Sequence, residues 1–193
     1  MITGVTSKDQ ALSAAEAGAD AVGFDLSPAS ALRAEAVRET IKELPPFVLR
    51  AGLFKDTPLY QVQEIITFCA LDVVVLFGHE DQRYCRALAA RVVKKVLVAG
   101  SRGDDTEWAA WRQHVAGFLL DGADEFSLAA ARELGRVGIP VFWAPPPGLS
   151  RVELTGLLAA VAPYALVLDA GSLPAPTWRE WIALAHSHGD GWA

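Results

Sequence analysis

The chain has 193 residues, of which 52 % are hydrophobic and 21 % are charged. Its 17 lysine and arginine residues against 23 aspartate and glutamate residues give a formal net charge of −6. This composition is typical of a folded globular protein and excludes an intrinsically disordered chain. A negative charge without any basic run argues against nucleic acid as a partner, because phosphate contacts need clustered lysine and arginine.

Apolar stretches in the chain are short, and none approaches the roughly 20 residues of a membrane-spanning helix. A structured pattern begins at Ile2, which leaves no room for a signal peptide. We therefore expect a cytoplasmic protein without a membrane partner. The two cysteines, Cys69 and Cys85, are too few for a disulfide framework and are expected to be buried, reduced thiols.

Eight apolar segments rich in valine, leucine and phenylalanine lack clean alternation with polar residues. Such segments are typical of strands that are buried on both faces of a parallel sheet. The predicted strands are Ile2–Val5, Ala21–Phe24, Val48–Phe54, Val73–Phe77, Lys95–Ala99, Gly117–Leu120, Pro140–Trp143 and Ala165–Leu168.

Segments with helical spacing of apolar residues separate these strands. Ser7 or Thr6 can cap the first of them, and Pro45 and Pro46 end the second. The predicted helices are Asp9–Ala17, Glu35–Leu44, Leu59–Phe68, Gln82–Val92, Thr106–His114, Ser127–Arg136, Arg151–Val161 and Trp178–His186.

Eight successive strand–helix units predict an α/β protein, a single (β/α)8 TIM barrel with short loops, which spans residues 1–193 as one domain. An open doubly wound sheet is the alternative, but no G-x-G-x-x-G follows the first strand. Active sites of barrels lie at the carboxyl ends of the strands. The polar residues expected there include Thr3, Asp25, Lys55, Asp56, His79, Glu80, Arg102, Asp104, Asp121 and Asp169.

Several segments resemble one known family, in the same order along the chain. Residues 1–6, M-I-T-G-V-T, are similar to the K-I-C-G-I-T opening of the phosphoribosylanthranilate isomerases of tryptophan biosynthesis. Residues 71–80 resemble that family's L-D-x-V-Q-L-H-G-D-E, and residues 118–121 resemble its F-L-L-D. The resemblance extends over the whole chain and implies a barrel fold.

The resemblance also implies a reaction, an Amadori rearrangement that uses no cofactor and no metal. The ribose ring of an N-phosphoribosyl anthranilate opens, and the resulting aldimine isomerises to an aminoketose. Asp121 matches the family's general acid, and backbone N–H groups after strands 7 and 8 hold the phosphate. The resemblance implies a small-molecule ligand, a monomer or homodimer, and substrate contacts at Arg33, His79, Gly148, Asp169 and Gly171.

The chain departs from the family pattern at positions that carry the chemistry. Thr3 replaces the cysteine that acts as general base, and a hydroxyl is not a useful base at neutral pH without a partner. The family's A-G-G-L reads A-P-P-P-G-L at residues 144–149, which removes N–H donors. Asp169 introduces a carboxylate into the family's S-S-G, and the lysine after strand 5 aligns with Val98.

These departures predict an isomerase-like barrel whose general-base and phosphate sites are altered, so that the activity is lost or changed. Two alternatives stay open. One is an active phosphoribosylanthranilate isomerase, and the other is an enzyme that acts on an unphosphorylated ligand at an acidic barrel mouth. Each candidate residue also has a structural alternative: Asp121 and Asp169 can cap turns, and His79 can begin a helix.

Overall fold

Strands and helices alternate throughout the computed structural model, which describes residues 1–96 and 105–188. The strands are β1 (Ile2–Thr3), β2 (Ala21–Asp25), β3 (Leu49–Phe54), β4 (Val73–Leu76), β5 (Arg91–Lys95), β6 (Gly117–Asp121), β7 (Val141–Ala144), β8 (Ala165–Leu166) and β9 (Leu168–Asp169). The helices are α1 (Lys8–Glu16), α2 (Ala34–Ile41), α3 (Leu59–Cys69), α4 (Gln82–Ala87), α5 (Asp105–Trp111), α6 (Glu125–Arg136), α7 (Arg151–Val161) and α8 (Ala175–His188).

The sheet closes on itself through two short strands that are nearly continuous in the chain. All neighbouring strands are parallel, and their order is β8-β7-β6-β5-β4-β3-β2-β1-β9. β8 pairs with β7, whereas β9 pairs with β1, and only Val167 separates the two. The predicted eighth strand therefore serves as two half-strands that close the ring, and the predicted (β/α)8 barrel is confirmed.

Side chains of the strands alternate between the barrel interior and the layer beneath the helices. The interior holds a small apolar cluster that includes Ala51, Val75, Val93, Leu119 and Val167. A larger cluster fills the space between the strands and the helices. This alternation decides which residues at the strand ends point into the barrel mouth.

The predicted bounds are wrong around the fifth strand. The helix expected at Gln82–Val92 ends at Ala87, because Leu88 already has an extended backbone, with φ −83° and ψ 135°. The strand expected at Lys95–Ala99 runs instead from Arg91 to Lys95. Residues 97–99 of the predicted strand, including Val98, lie outside the described part of the chain, as do Arg102 and Asp104.

Both cysteines are buried free thiols, as the sequence predicts. The Cys69 thiol donates a hydrogen bond to the Ala34 carbonyl oxygen at 3.4 Å. Burial raises the pKa of the Cys85 thiol to about 11. A thiol with this pKa is almost entirely protonated at neutral pH, so Cys85 does not substitute for a catalytic thiolate.

Arg50 and Asp72 join the beginnings of β3 and β4. The Arg50 Nε and Nη2 atoms donate to the two Asp72 carboxylate oxygens, each at 2.7 Å, and the Arg50 backbone N–H donates to Oδ2 at 2.9 Å. Hydrogen bonds from the guanidinium hold the pKa of the Asp72 carboxyl below its ordinary value. This arrangement stabilises the folded state only while Asp72 is ionised.

We expect the Asp72→Asn variant to lose about 1.5–3 kcal/mol of unfolding free energy at pH 7, the range for hydrogen bonds to charged groups. Because the folded-state pKa is depressed, this stabilisation is present above the unfolded carboxyl pKa of about 3.9 and disappears as the pH falls below it. Urea unfolding at pH 7 and pH 3 measures the difference, with Glu64→Gln on the exposed face of α3 as control. An equal loss at both pH values would contradict the assignment.

Candidate functional site

Four polar side chains point into the barrel mouth from two opposite sides of the ring. Their strand neighbours two positions earlier, Met1, Val93, Leu119 and Val167, belong to the interior cluster or pack against it. By alternation, Thr3, Lys95, Asp121 and Asp169 face the interior at the carboxyl ends of β1, β5, β6 and β9. The structure therefore places three of the residues predicted for catalysis and binding at this mouth.

Thr3 is engaged by the backbone of the neighbouring strand. Its hydroxyl donates a hydrogen bond to the Leu168 carbonyl oxygen at 3.3 Å, and the residue is only 8 % exposed. A hydroxyl whose proton is directed to a carbonyl keeps two lone pairs but has little basicity at neutral pH. In this geometry Thr3 supports the closure between β1 and β9 and offers no proton acceptor comparable to a thiolate.

Asp121 forms an ion pair with Lys95 across β5 and β6. Two side chains hold the backbone after β6 in place. Ser127 Oγ donates to the Asp121 carbonyl oxygen at 2.8 Å, and Trp143 Nε1 donates to the Gly122 carbonyl oxygen at 2.6 Å. The side chain is thus free of the turn-capping role that the sequence left open, because Asp124 caps α6. Lys95 was missed by the sequence analysis, which placed the strand four residues too late.

Asp169 lies beside β1 at the opposite side of the mouth. It pairs in register with Thr3, and its Oδ2 accepts from the Ser172 hydroxyl at 2.7 Å. Gly4, with φ +69°, lets the carboxylate approach, because a Cβ added there would lie 2.1 Å from Asp169 Oδ1. A glycine is therefore required at position 4 by both the backbone and the neighbouring carboxylate.

A cavity of about 60 Å³ opens between the loop after β7 and the end of β9. Ala144, Pro145, Pro147, Asp169, Ser172 and Leu173 are among its lining residues. Two of the three consecutive prolines thus form its wall, and a proline has no N–H to donate to an anion. Gly148, with φ +83°, and Gly171 adjoin this wall in the chain but do not line the cavity.

Arg33 and His79 lie at the exposed rim. Arg33 directly precedes α2 and has an extended backbone. Within the described residues its side chain makes no capping hydrogen bond to that helix. The His79 side chain is 83 % exposed and its Nδ1 is 3.4 Å from Asp56 Oδ1. The His79 backbone N–H donates to the same oxygen at 2.6 Å and lowers the pKa of the Asp56 carboxyl. Asp81, not His79, caps α4.

Glu80 and Lys94 form a buried ion pair beneath this rim. Lys94 Nζ donates to Glu80 Oε2 at 2.9 Å and to the Gly78 carbonyl oxygen at 2.5 Å. The remaining carboxylate bonds come from the backbone N–H groups of Asp56, at 2.8 Å, and Gly78, at 3.1 Å. The pair therefore ties the loops after β3 and β4 to the outer face of β5.

Groups of potential metal ligands and membrane-spanning helices are both absent from residues 1–96 and 105–188. In that part of the chain no three histidine, cysteine, aspartate or glutamate side chains are grouped so that they could hold a metal ion. Among the helices described there, none is long and apolar enough to cross a membrane.

Comparison with known proteins identifies the family. A model of the N-(5'phosphoribosyl)anthranilate (PRA) isomerase family matches residues 1–132. An isomerase of that name from Moorella thermoacetica is 33 % identical over 180 residues, which cover 88 % of this chain and 79 % of the relative. One from Geobacter sp. strain M21 is 35 % identical over 185 residues, covering 88 % of this chain and 86 % of the relative.

Solved structures agree with the sequence comparison. The phosphoribosyl anthranilate isomerase of Thermus thermophilus superimposes with a TM-score of 0.77 at 31 % identity, over 96 % of this chain and 97 % of that one. A second isomerase, solved in complex with reduced 1-(o-carboxyphenylamino)-1-deoxyribulose 5-phosphate, gives the same TM-score and coverage at 26 % identity. A third structure describes monomers generated from the dimeric isomerase of Thermotoga maritima. This chain therefore belongs to the phosphoribosylanthranilate isomerase family.

Proposed function

We propose that the protein catalyses the aldose-to-ketose isomerisation of its family, on N-(5'-phosphoribosyl)anthranilate or a close analogue, at a much reduced rate. The observation that carries this proposal is the ion pair of Asp121 and Lys95 at the inner ends of β6 and β5. In this proposal the protein is cytoplasmic, has one domain and is a monomer or homodimer. Arg33 and His79 contact the substrate at the rim of the mouth, and Gly148 and Gly171 contact it from the loops.

The acid half of the reaction has a proton donor in this mouth. Opening the ribose ring of an N-aryl ribosylamine requires a proton on the ring oxygen as the C1–O bond breaks. Asp121 lies at the strand ends, where a general acid has to lie, and it is paired there with Lys95. The carboxyl form of Asp121 delivers the proton to the ring oxygen, and Lys95 is a positioning residue that holds the resulting carboxylate toward the interior.

The base half of the reaction lacks a comparable group on β1. The aldimine loses the proton at C2 and gains one at its nitrogen to form an enolamine, which then takes a proton at C1 and releases the enol O–H proton to give the aminoketose. With Thr3 bonded to the Leu168 carbonyl, water takes the C2 proton in this proposal. A positioned general base contributes about 10²–10⁴ in rate, so the turnover of this chain falls short of its relatives by that factor.

A second candidate function is ligand binding without turnover. The bond between Thr3 and Leu168 and the prolines at the cavity favour it, because both remove groups that the family's reaction uses. A barrel can keep its fold and packing while its site loses catalytic activity. The two candidates differ in one measurable quantity, the rate at which the protein consumes substrate.

Turnover of freshly prepared N-(5'-phosphoribosyl)anthranilate tests the proposal, with the Geobacter relative measured in parallel. We expect kcat/KM to be about 10²–10⁴ lower than that of the relative, with the residual activity lost in Asp121→Asn. Activity of the purified Asp121→Asn variant equal to that of the wild type would refute the role of Asp121. No detectable turnover would favour the binding candidate, and a rate equal to that of the relative would refute the missing base.

A further inference from the structure

The cavity between β7 and β9 differs in chemistry from an anion site. Pro145 and Pro147 form part of its wall without N–H groups, and Leu173 adds apolar surface. The side-chain polar groups in its lining are the Asp169 carboxylate and the Ser172 hydroxyl. The cavity therefore offers a carboxylate and a hydroxyl on an otherwise apolar wall.

The Asp169 carboxylate is held in place from two sides. Its Oδ2 accepts the Ser172 hydroxyl at 2.7 Å, and its backbone carbonyl accepts the N–H groups of Ser172 and Leu173, each at 3.2 Å. Its Oδ1 lies against Gly4, in space that any other residue at that position would fill. Because the Ser172 proton is donated to Asp169, the acidic group of the cavity is fixed and acts as a hydrogen-bond acceptor.

We propose that this cavity selects ligands whose sugar ends in an unphosphorylated hydroxymethyl group, with Asp169 as the specificity-determining residue. The inference rests on the proposed function and names the substrate class for the same mouth. A hydroxyl donates to the carboxylate, whereas a phosphate is repelled by it and finds no N–H on the prolines. A volume of about 60 Å³ exceeds the roughly 10–15 Å³ that one water needs and suits a terminal group of a few heavy atoms, not a whole sugar.

A matched pair of unreactive ligands tests this selection by calorimetric titration of the full chain. The pair is the reduced aminoribulose analogue bound by the solved relative, with and without its 5-phosphate. We expect the wild-type protein to bind the unphosphorylated form about fivefold more tightly or better. Two like charges about 4 Å apart in water repel each other by about 1 kcal/mol, which corresponds to this factor in the dissociation constant. The Asp169→Ser variant, which restores a serine of the family pattern, is expected to reverse the preference.

Two further variants separate charge at the cavity from charge at the mouth in general. Asp169→Asn removes the charge with almost unchanged shape and should weaken the preference in the same direction as Asp169→Ser. Asp25→Asn removes a charge from the same end of the barrel at β2, keeps an acceptor for the Ser27 N–H, and should leave the preference unchanged. Thermal unfolding of each variant confirms that it is folded before titration.

A wild-type protein that prefers the phosphorylated form, or binds neither form, overturns the proposal. The same holds if Asp25→Asn shifts the preference as much as Asp169→Asn, because repulsion would then be a property of the whole mouth. Since the ligands do not react, failure of isomerase turnover leaves this result intact. Conversely, turnover together with a preference for the phosphorylated ligand would retain the proposed function and reject the role of Asp169.

Discussion

Replacing Thr3 with cysteine is expected to raise the turnover of N-(5'-phosphoribosyl)anthranilate by about 10²–10⁴, the contribution of one positioned general base. The variant puts a titratable thiol at the end of β1, where the wild-type hydroxyl donates to the Leu168 carbonyl. The side chain is buried against β9, so a residue of nearly equal size fits without disturbing the strand pairing. Steady-state kinetics on wild type and variant measure the gain.

The controls for Thr3→Cys separate the thiol from its surroundings. Thr3→Ser keeps a hydroxyl and should leave turnover unchanged, and Asp121→Asn in the Thr3→Cys background should remove the gain. Asp169 pairs with position 3 in register, and a nearby carboxylate disfavours the thiolate. Thr3→Cys with Asp169→Ser is therefore expected to gain more than Thr3→Cys alone. Absence of any gain in both would show that the base is not what limits the rate.

Replacing Lys94 with methionine is expected to cost about 3–5 kcal/mol of unfolding free energy, the range for breaking a buried ion pair from one side. The side chains of Lys94 and Glu80 are 7 % and 2 % exposed, so an unpaired Glu80 carboxylate would have almost no access to water. Glu80 would still accept the N–H groups of Asp56 and Gly78. Denaturant unfolding at pH 7 measures the loss.

Two controls show whether the cost arises from the pair. The double variant Lys94→Met with Glu80→Gln removes both charges and should recover part of the loss, as paired removal does in other proteins. Lys42→Met breaks an exposed pair with Glu39 on α2 and should change stability little. A cost for Lys94→Met no larger than that for Lys42→Met would contradict the buried pair.

Much of the barrel could be predicted because its strands are buried on both faces. Val73–Phe77, for example, is an uninterrupted apolar run between Asp72 and Gly78, and the structure has β4 at Val73–Leu76. β5 was misplaced because Lys94 and Lys95 interrupt its apolar pattern. Each lysine forms an ion pair with a residue of another element: Lys94 with Glu80 after β4, and Lys95 with Asp121 on β6. The spacing of residues within one segment does not reveal such partners.

The candidate site was predictable in part for a similar reason. Resemblance to a family located Asp121 and Thr3 by their motifs, and alternation along the strands explains why they face the interior. The contact of Asp169 with Gly4 and the cavity after β7 depend on which strands close the ring. That closure is made by two half-strands of two residues each, too short to leave a periodic pattern in the sequence.

Turnover of a Thr3→Val variant tests most directly the central claim that the barrel keeps the family's acid but has no side-chain base on β1. Valine has nearly the shape of threonine and lacks the hydroxyl, so it removes any role of Thr3 in proton transfer while it keeps the packing. The account predicts that Thr3→Val retains wild-type kcat/KM within about threefold, whereas Asp121→Asn loses it by about 10²–10⁴. A loss of about 100-fold in Thr3→Val, in a protein with unchanged thermal stability, would contradict the account.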